Sequence, residues 1–178
     1  MGIISQIKLR KNSEKEFHLF FFIVLMLLIF IMAARTPLDS DMWWHLHAGR
    51  DTLKEGVPTL IDTYSFTRSG SEWINHSWLS QVIMYLVYLY SNMPGLSLLV
   101  AVSALVSIGL IYIQMDGPPI FKGVLLILAA IVASWVWSPR PQVFSLILLA
   151  WVYLIIYKYK YYRINHLWQL FPIFVLWS

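Results

Sequence analysis

The sequence predicts an all-α, polytopic membrane protein, and three observations carry that prediction. Hydrophobic residues make up 59% of the 178 and charged residues only 12%, about half the roughly 25% found in soluble domains. The apolar residues gather into blocks long enough to span a bilayer as helices, divided by short breaks that carry Pro, Gly or charge. One long polar stretch, residues 36–80, interrupts them. It holds six of the nine acidic residues, three of the five histidines and four of the nine tryptophans, so chemistry belongs there.

The net charge of +4 does not mark a nucleic-acid binder. The basic residues stand at the edges of apolar blocks, where Lys and Arg orient helices against lipid, and no basic stripe interleaves with stacking aromatics. Cysteine is absent, which excludes disulfides, thiolate metal sites and cysteine nucleophiles.

Residues 1–16 read as a basic cytoplasmic tail and residues 17–35 as the first transmembrane helix. Positions 17–34 carry no charge apart from the titratable His18, enough to cross a hydrocarbon core of ~30 Å. The run is too long for a signal-peptide core, and Ile31 to Arg35 makes a poor cleavage site, so the span is retained. Lys8, Arg10, Lys11 and Lys15 precede it, which by the positive-inside rule puts the N-terminus in the cytoplasm and residues 36–80 outside.

Within that external loop Asp39 is placed to cap a helix, with Leu38 before it and Trp43 after it as a hydrophobic staple. The helix runs to about Lys54 and stops at Gly56 and Pro58. Asp41, Trp44, His45 and Ala48 share one face of it, and the paired Trp43 and Trp44 suit the membrane interface. Asp62 to Thr67 reads as a short extended or turn segment, Ser69-Gly70 as a turn, and Trp73 to Ser77 as the approach to the next helix.

Residues 81–178 read as further membrane helices, truncated within the last. The chain is apolar from Trp78 to Tyr90, breaks at Asn92 to Gly95, and spans again from about Leu96 to Gln114. A second break, Asp116 to Pro119, precedes apolar blocks at 120–137 and 143–157, divided by Ser138-Pro-Arg-Pro-Gln142. The last apolar run, from Leu167, is about half a span, the pattern of the N-terminal part of a longer polytopic protein. If every block crosses, Lys158, Lys160 and Arg163 lie outside, against the charge rule. If the block at 120–137 is re-entrant or interfacial, that basic turn returns to the cytoplasm and Arg140 joins the side of the acidic loop.

Asp39 and Asp41 stand at the exit of the first span, where a partly dry carboxylate can take a proton from an incoming hydroxyl. Each also has a structural role open to it, as cap or as partner of the helix macrodipole. His45 and His47 are spaced so that one helix points them apart. Asp41 with His45, or His47 with Asp51, is better placed for a divalent metal, with Asp62 or His76 completing the set. Otherwise these histidines bind phosphate or carboxylate, or sit at the interface. Arg140, between two prolines in an apolar region, reads either as a fork for an anionic lipid headgroup or as a loop residue reaching lipid phosphates nonspecifically. The tyrosines at 153–162 form an aromatic belt.

Taken together, Asp39-Ser-Asp41-Met-Trp-Trp-His45, Gly56-Val-Pro58, Asp62-Thr-Tyr-Ser-Phe-Thr67, Gly70-Ser-Glu-Trp73, His76-Ser-Trp78-Leu and Arg140-Pro-Gln142-Val-Phe-Ser145 resemble a family of multi-span bacterial and archaeal membrane proteins. That family is grouped with the GT-C membrane glycosyltransferases, which include protein mannosyltransferases and lipid A sugar transferases. The resemblance implies a GT-C-like helical bundle in the plasma membrane, with interfacial helices in a long first external loop. It implies an acidic catalytic residue near the end of the first span, matched by position to Asp41 first and Asp39 second. The implied donor is a lipid-linked sugar on a polyprenyl phosphate, with membrane lipids around it. The acceptor is not specified.

On this reading Asp41 is the general base, and His45, His47, Asp62, His76, Arg140 and Gln142 bind substrate. The competing expectation is a non-enzymatic transporter, lipid-binding or assembly subunit whose external loop is a docking surface. A membrane hydrolase is disfavoured, since neither GxSxG nor HExxH occurs.

Overall fold

The computed structural model describes residues 3–35 and 39–177, with side chains from residue 12 onward. Six α-helices follow in order: α1 Ile3–Ala33, α2 Ser40–Glu55, α3 Trp78–Tyr112, α4 Pro119–Ala133, α5 Gln142–Tyr162 and α6 Leu170–Trp177. Among the described residues there is no strand, only one antiparallel bridge between Ile61 and Glu72. Four helical stretches are long and apolar enough to cross a membrane: Asn12–Ala33, Trp78–Tyr112, Pro119–Val136 and Gln142–Tyr162. Helix is what an apolar run must form in lipid, because every backbone N–H and C=O has to be satisfied within the segment.

The bundle is built on an antiparallel pair, α1 and the second half of α3. At one end Ser97 Oγ donates to the Arg35 carbonyl at 2.9 Å. At the other the rings of Phe22 and Tyr112 pack with centroids 4.8 Å apart. Between them Leu25, Ile29 and Ala33 interlock with Val100, Ala101, Ala104 and Ile108 in the main buried cluster, which Leu126 and Ala130 of α4 complete. Alanines at the contact let the helix axes approach, the usual means of packing where lipid is as apolar as Leu.

The remaining helices alternate in direction. α4 starts where the ring of Phe21 packs on Gly123 and ends where the Arg35 guanidinium donates to the Ser134 carbonyl. It therefore runs beside residues 21–35 of α1, an arrangement that favours a crossing at 120–137 over a re-entrant or interfacial block. α5 returns, with the Gln114 amide donating to the Ala150 carbonyl at 3.4 Å and Tyr157 Oη reaching Asp116 at 3.5 Å. α6 packs on α5 through Ile173 against Val152 and Ile155.

The segment that does not run along α1 is the first half of α3. Asn92, at φ 50° and ψ −149°, interrupts the helix. Beyond it the chain folds back so tightly that a Cβ on Gly95 would lie 3.1 Å from Val87 Cγ1 and 2.5 Å from Ser91 Cβ. Residues 78–91 instead pack along α2: Met42 and Leu46 share a buried cluster with Met84 and Leu96, and Trp43 meets Tyr88 edge to face. The break expected at Asn92 to Gly95 is present, but as a sharp fold inside one continuous helical stretch.

This placement removes the conflict over charge. α1, the second half of α3, α4 and α5 are four passes, so Lys158, Lys160 and Arg163 fall at the end of the bundle where the apolar part of α1 begins. Lys122 is at that end too, its ammonium 4.7 Å over the Tyr112 ring. The opposite, acidic end carries α2, the loop to residue 77 and the turn that holds Arg140.

Candidate functional site

Asp39 initiates α2. Its backbone is extended (φ −137°, ψ 123°) and its Oδ1 accepts the backbone N–H of Asp41 at 2.9 Å, which satisfies one of the free donors of the first turn. The same carboxylate takes a fork from Arg140, with Nε on Oδ2 at 2.6 Å and Nη2 on Oδ1 at 2.8 Å. Nη2 also reaches Asp41 Oδ2 at 3.1 Å. Residues 101 apart in the chain are thus joined by the bidentate geometry that guanidinium and carboxylate favour.

The two carboxylates differ in environment. The Asp39 side chain is 8% exposed, the Asp41 side chain 46% and Arg140 37%. Arg140's hydrogen bonds are the largest effect on Asp39, holding its carboxyl down at about 2 against the opposing effect of burial. Asp39 is therefore a committed anion, a cap and a counter-ion. Asp41 meets Arg140 with one oxygen only, and its Oδ1 has a long 3.4 Å contact from the Ser40 hydroxyl.

Asp41 lines a cavity of about 780 Å³ at the acidic end, and Asp39 does not. The walls come from α2 (Asp41, Trp44, His45), the approach to α3 (Trp73, Asn75, His76), the start of α3 with Gln81, the Arg140 turn with Gln142, and α5 and α6 with Ser145 and Trp177. Trp177 donates its indole N–H to Ser145 at 3.0 Å and closes that side.

His45 is buried on the α3 side of this cavity. Asn75 Nδ2 donates to Gln81 Oε1 at 2.9 Å, and Gln81 Nε2 in turn lies 3.3 Å from His45 Nδ1. With the amides so oriented, Nδ1 is the acceptor and Nε2 carries the proton. Burial is the dominant effect on the imidazole and pushes it down to about 4, against the pull of Asp41's charge. Near neutral pH His45 is uncharged, with its proton on Nε2.

Trp44 and Trp73 form an aromatic wall, their centroids 5.6 Å apart and their planes at 64°. Tyr64 stands edge to face with Trp73 at 6.0 Å and is fixed by donating its hydroxyl to Asp51 at 2.9 Å. Asp51 is itself paired with Arg50 at 2.8 Å. Asp62 Oδ1 accepts the backbone N–H of Tyr64 at 3.0 Å and of Ser65 at 2.9 Å, the self-bonded turn that an Asp favours.

Of the residues expected to form the site, Asp41, His45, His76, Arg140 and Gln142 line one cavity. Asp39 stands behind it as Arg140's partner. Asp62 lies across the Trp44 and Trp73 wall, and His47 is exposed, its ring edge to face with Tyr64 at 6.5 Å, outside the cavity. The staple expected between Leu38 and Trp43 involves Leu38, which lies outside the described residues.

The metal site expected of Asp41 and His45 does not assemble. Among the described residues no three His, Cys, Asp or Glu side chains gather, His45 Nδ1 faces the Gln81 amide, and Asp41 shares Arg140's guanidinium. Sequence reasoning missed Gln81 and Asn75, although a Gln inside the apolar run from Trp78 was the available signal, since a polar group there needs a partner. No model of a known protein family, no curated protein and no solved structure matches this chain.

Proposed function

We propose that this chain is a membrane glycosyltransferase that moves a sugar from a polyprenyl-phosphate donor to an acceptor hydroxyl on the extracytoplasmic face. The observation that carries the reading is the meeting of the two ends of the motif string. Asp41 and Arg140, on segments distant in sequence, are 3.1 Å apart on the wall of one large cavity at the end of a lipid-facing bundle. The family resemblance in the sequence supports the same reading.

Asp41 takes the proton of the acceptor hydroxyl as its oxygen attacks the anomeric carbon. The bond from that carbon to the phosphate oxygen breaks, and the configuration inverts. Negative charge grows on the departing phosphate, and Arg140 is the cation beside it. Asp39 takes Nε and Nη2 of that arginine and leaves Nη1 uncommitted to either carboxylate, so the guanidinium is oriented before substrate arrives. Neutral His45 donates from the same wall. No step is assigned to a metal, because the donors do not converge.

The test compares polyprenyl-phosphate sugars by mass spectrometry in cells carrying the wild-type protein or Asp41→Asn. The mutant, still inserted in the membrane, is expected to accumulate a glycolipid that the wild type consumes, with transfer reduced at least ~100-fold. An unchanged lipid pool with the variant inserted overturns the reading in favour of a docking or transport role for the loop.

A further inference from the structure

The wall formed by Trp44 and Trp73 has a second cavity on its other side, of about 230 Å³, lined also by Asp62, Tyr64 and Ser65. Three aromatic rings set steeply to one another, one carboxylate and one hydroxyl make an unusual lining for a loop at a membrane surface. The rings are not free to collapse into the space, since Tyr64 is tied to Asp51 and Trp73 is braced between Trp44 and Tyr64. The carboxylate is likewise pre-set: both turn N–H groups fall on Asp62 Oδ1, and the Ser65 hydroxyl also hydrogen-bonds the carboxylate.

A pyranose ring has the chemistry that fits. Its C–H faces are apolar and pack on indole and phenol faces, while its rim of hydroxyls needs acceptors such as an ionised carboxylate. The volume suits one hexose-sized ring. An ammonium group is the other ligand of aromatic cages, and choline in the titration below tests for it. We infer that this cavity seats a sugar ring of the acceptor, so that the acceptor is a saccharide.

The inference rests on the transferase reading in assigning the ring to the acceptor. In the donor the sugar is bonded directly to phosphate, which places it beside Arg140 in the larger cavity. That leaves the smaller one, sharing Trp44 and Trp73 with it, for the partner that brings the hydroxyl.

The experiment is calorimetric titration of the whole chain in lipid nanodiscs with cellobiose, N,N′-diacetylchitobiose, mannobiose and digalacturonate, with choline and a Ser/Thr peptide beside them. At least one disaccharide is expected to bind in the millimolar range or tighter. Asp62→Asn, which keeps the Oδ1 turn because Asn forms it equally well, is expected to weaken binding at least about tenfold. Trp73→Phe, which keeps a ring in place, is expected to weaken it several-fold. Binding of choline or the peptide alone, no saccharide binding, or saccharide binding indifferent to Asp62→Asn overturns the subsite. Asp41-dependent donor consumption without saccharide binding sinks the subsite alone. Saccharide binding without such consumption sinks the transferase reading, and with it the assignment of the ring to an acceptor, while the sugar subsite stands.

Discussion

At the scale of single residues, two groups of the site make stability depend on acid in separate windows. His45, held down at about 4 from an ordinary 6.5, stays neutral in the folded chain while the unfolded chain takes a proton. Its contribution is fully present above pH 6.5 and is lost as pH falls toward 4, by at most about 3 kcal/mol. Asp39, held at about 2 by Arg140, contributes stability that is present above the ordinary carboxylate value of 3.8 and is lost as pH falls through 2. The melting temperature in detergent is expected to drop in both windows. His45→Gln should remove only the first drop and Asp39→Asn only the second; a profile unchanged by either variant contradicts these environments. The cap at Asp39 was legible from its position before an amphipathic run. Its bond to Arg140 was not, because a contact across 101 residues leaves no local pattern.

At the scale of elements, the site depends on how closely α2 lies on the first half of α3. A Cβ on Gly49 would stand 2.1 Å from the Gln81 carbonyl oxygen and 2.5 Å from its carbon, atoms of a helix backbone that cannot step aside. Gly49→Ala raises helix propensity by up to ~1 kcal/mol, yet the overlap costs on the order of 1–3 kcal/mol or more and dominates. The variant should part α2 from α3, break the contact of His45 with Gln81, and expose the loop at residues 56–75 to protease. The main cluster of α1, α3 and α4, which does not use Gly49, should survive. Wild-type protease resistance in Gly49→Ala would refute this packing. The helix of residues 40–55 was readable from Asp39, the Trp and Leu spacing and the Gly56 stop. The fold at Asn92 was visible as a break, but its angle was not, since Asn-Met-Pro-Gly permits a loop between spans as readily as a reversal within one.

At the scale of the whole molecule, the four passes put residues 62, 69 and 140 at one end and residues 116 and 160 at the other. The absence of native cysteine makes this measurable. Ser69→Cys, in an exposed turn, is expected to react with an impermeant maleimide on intact cells, whereas Lys160→Cys should react only after the membrane is opened. Labelling of both positions from outside would return the block at 78–91 to the status of a separate crossing and reverse α5. The charge rule favours the expected result, since Lys122, Lys158, Lys160 and Arg163 gather at one end of the bundle.

What the sequence determined by itself is the class of the molecule and the place of its one long polar stretch. Both follow from composition and period, because an apolar block of spanning length has no way to satisfy its backbone in lipid other than as a helix, and polar residues cannot stay with it. The tertiary structure alone decided which carboxylate faces the cavity and which is consumed as Arg140's counter-ion, since both depend on a residue about a hundred positions away. It also decided which apolar block folds back. Blocks 78–91 and 120–137 are both apolar, the first short for a span, and the seating of Met84 and Tyr88 on α2, against Gly123 and Ser134 along α1, separates them.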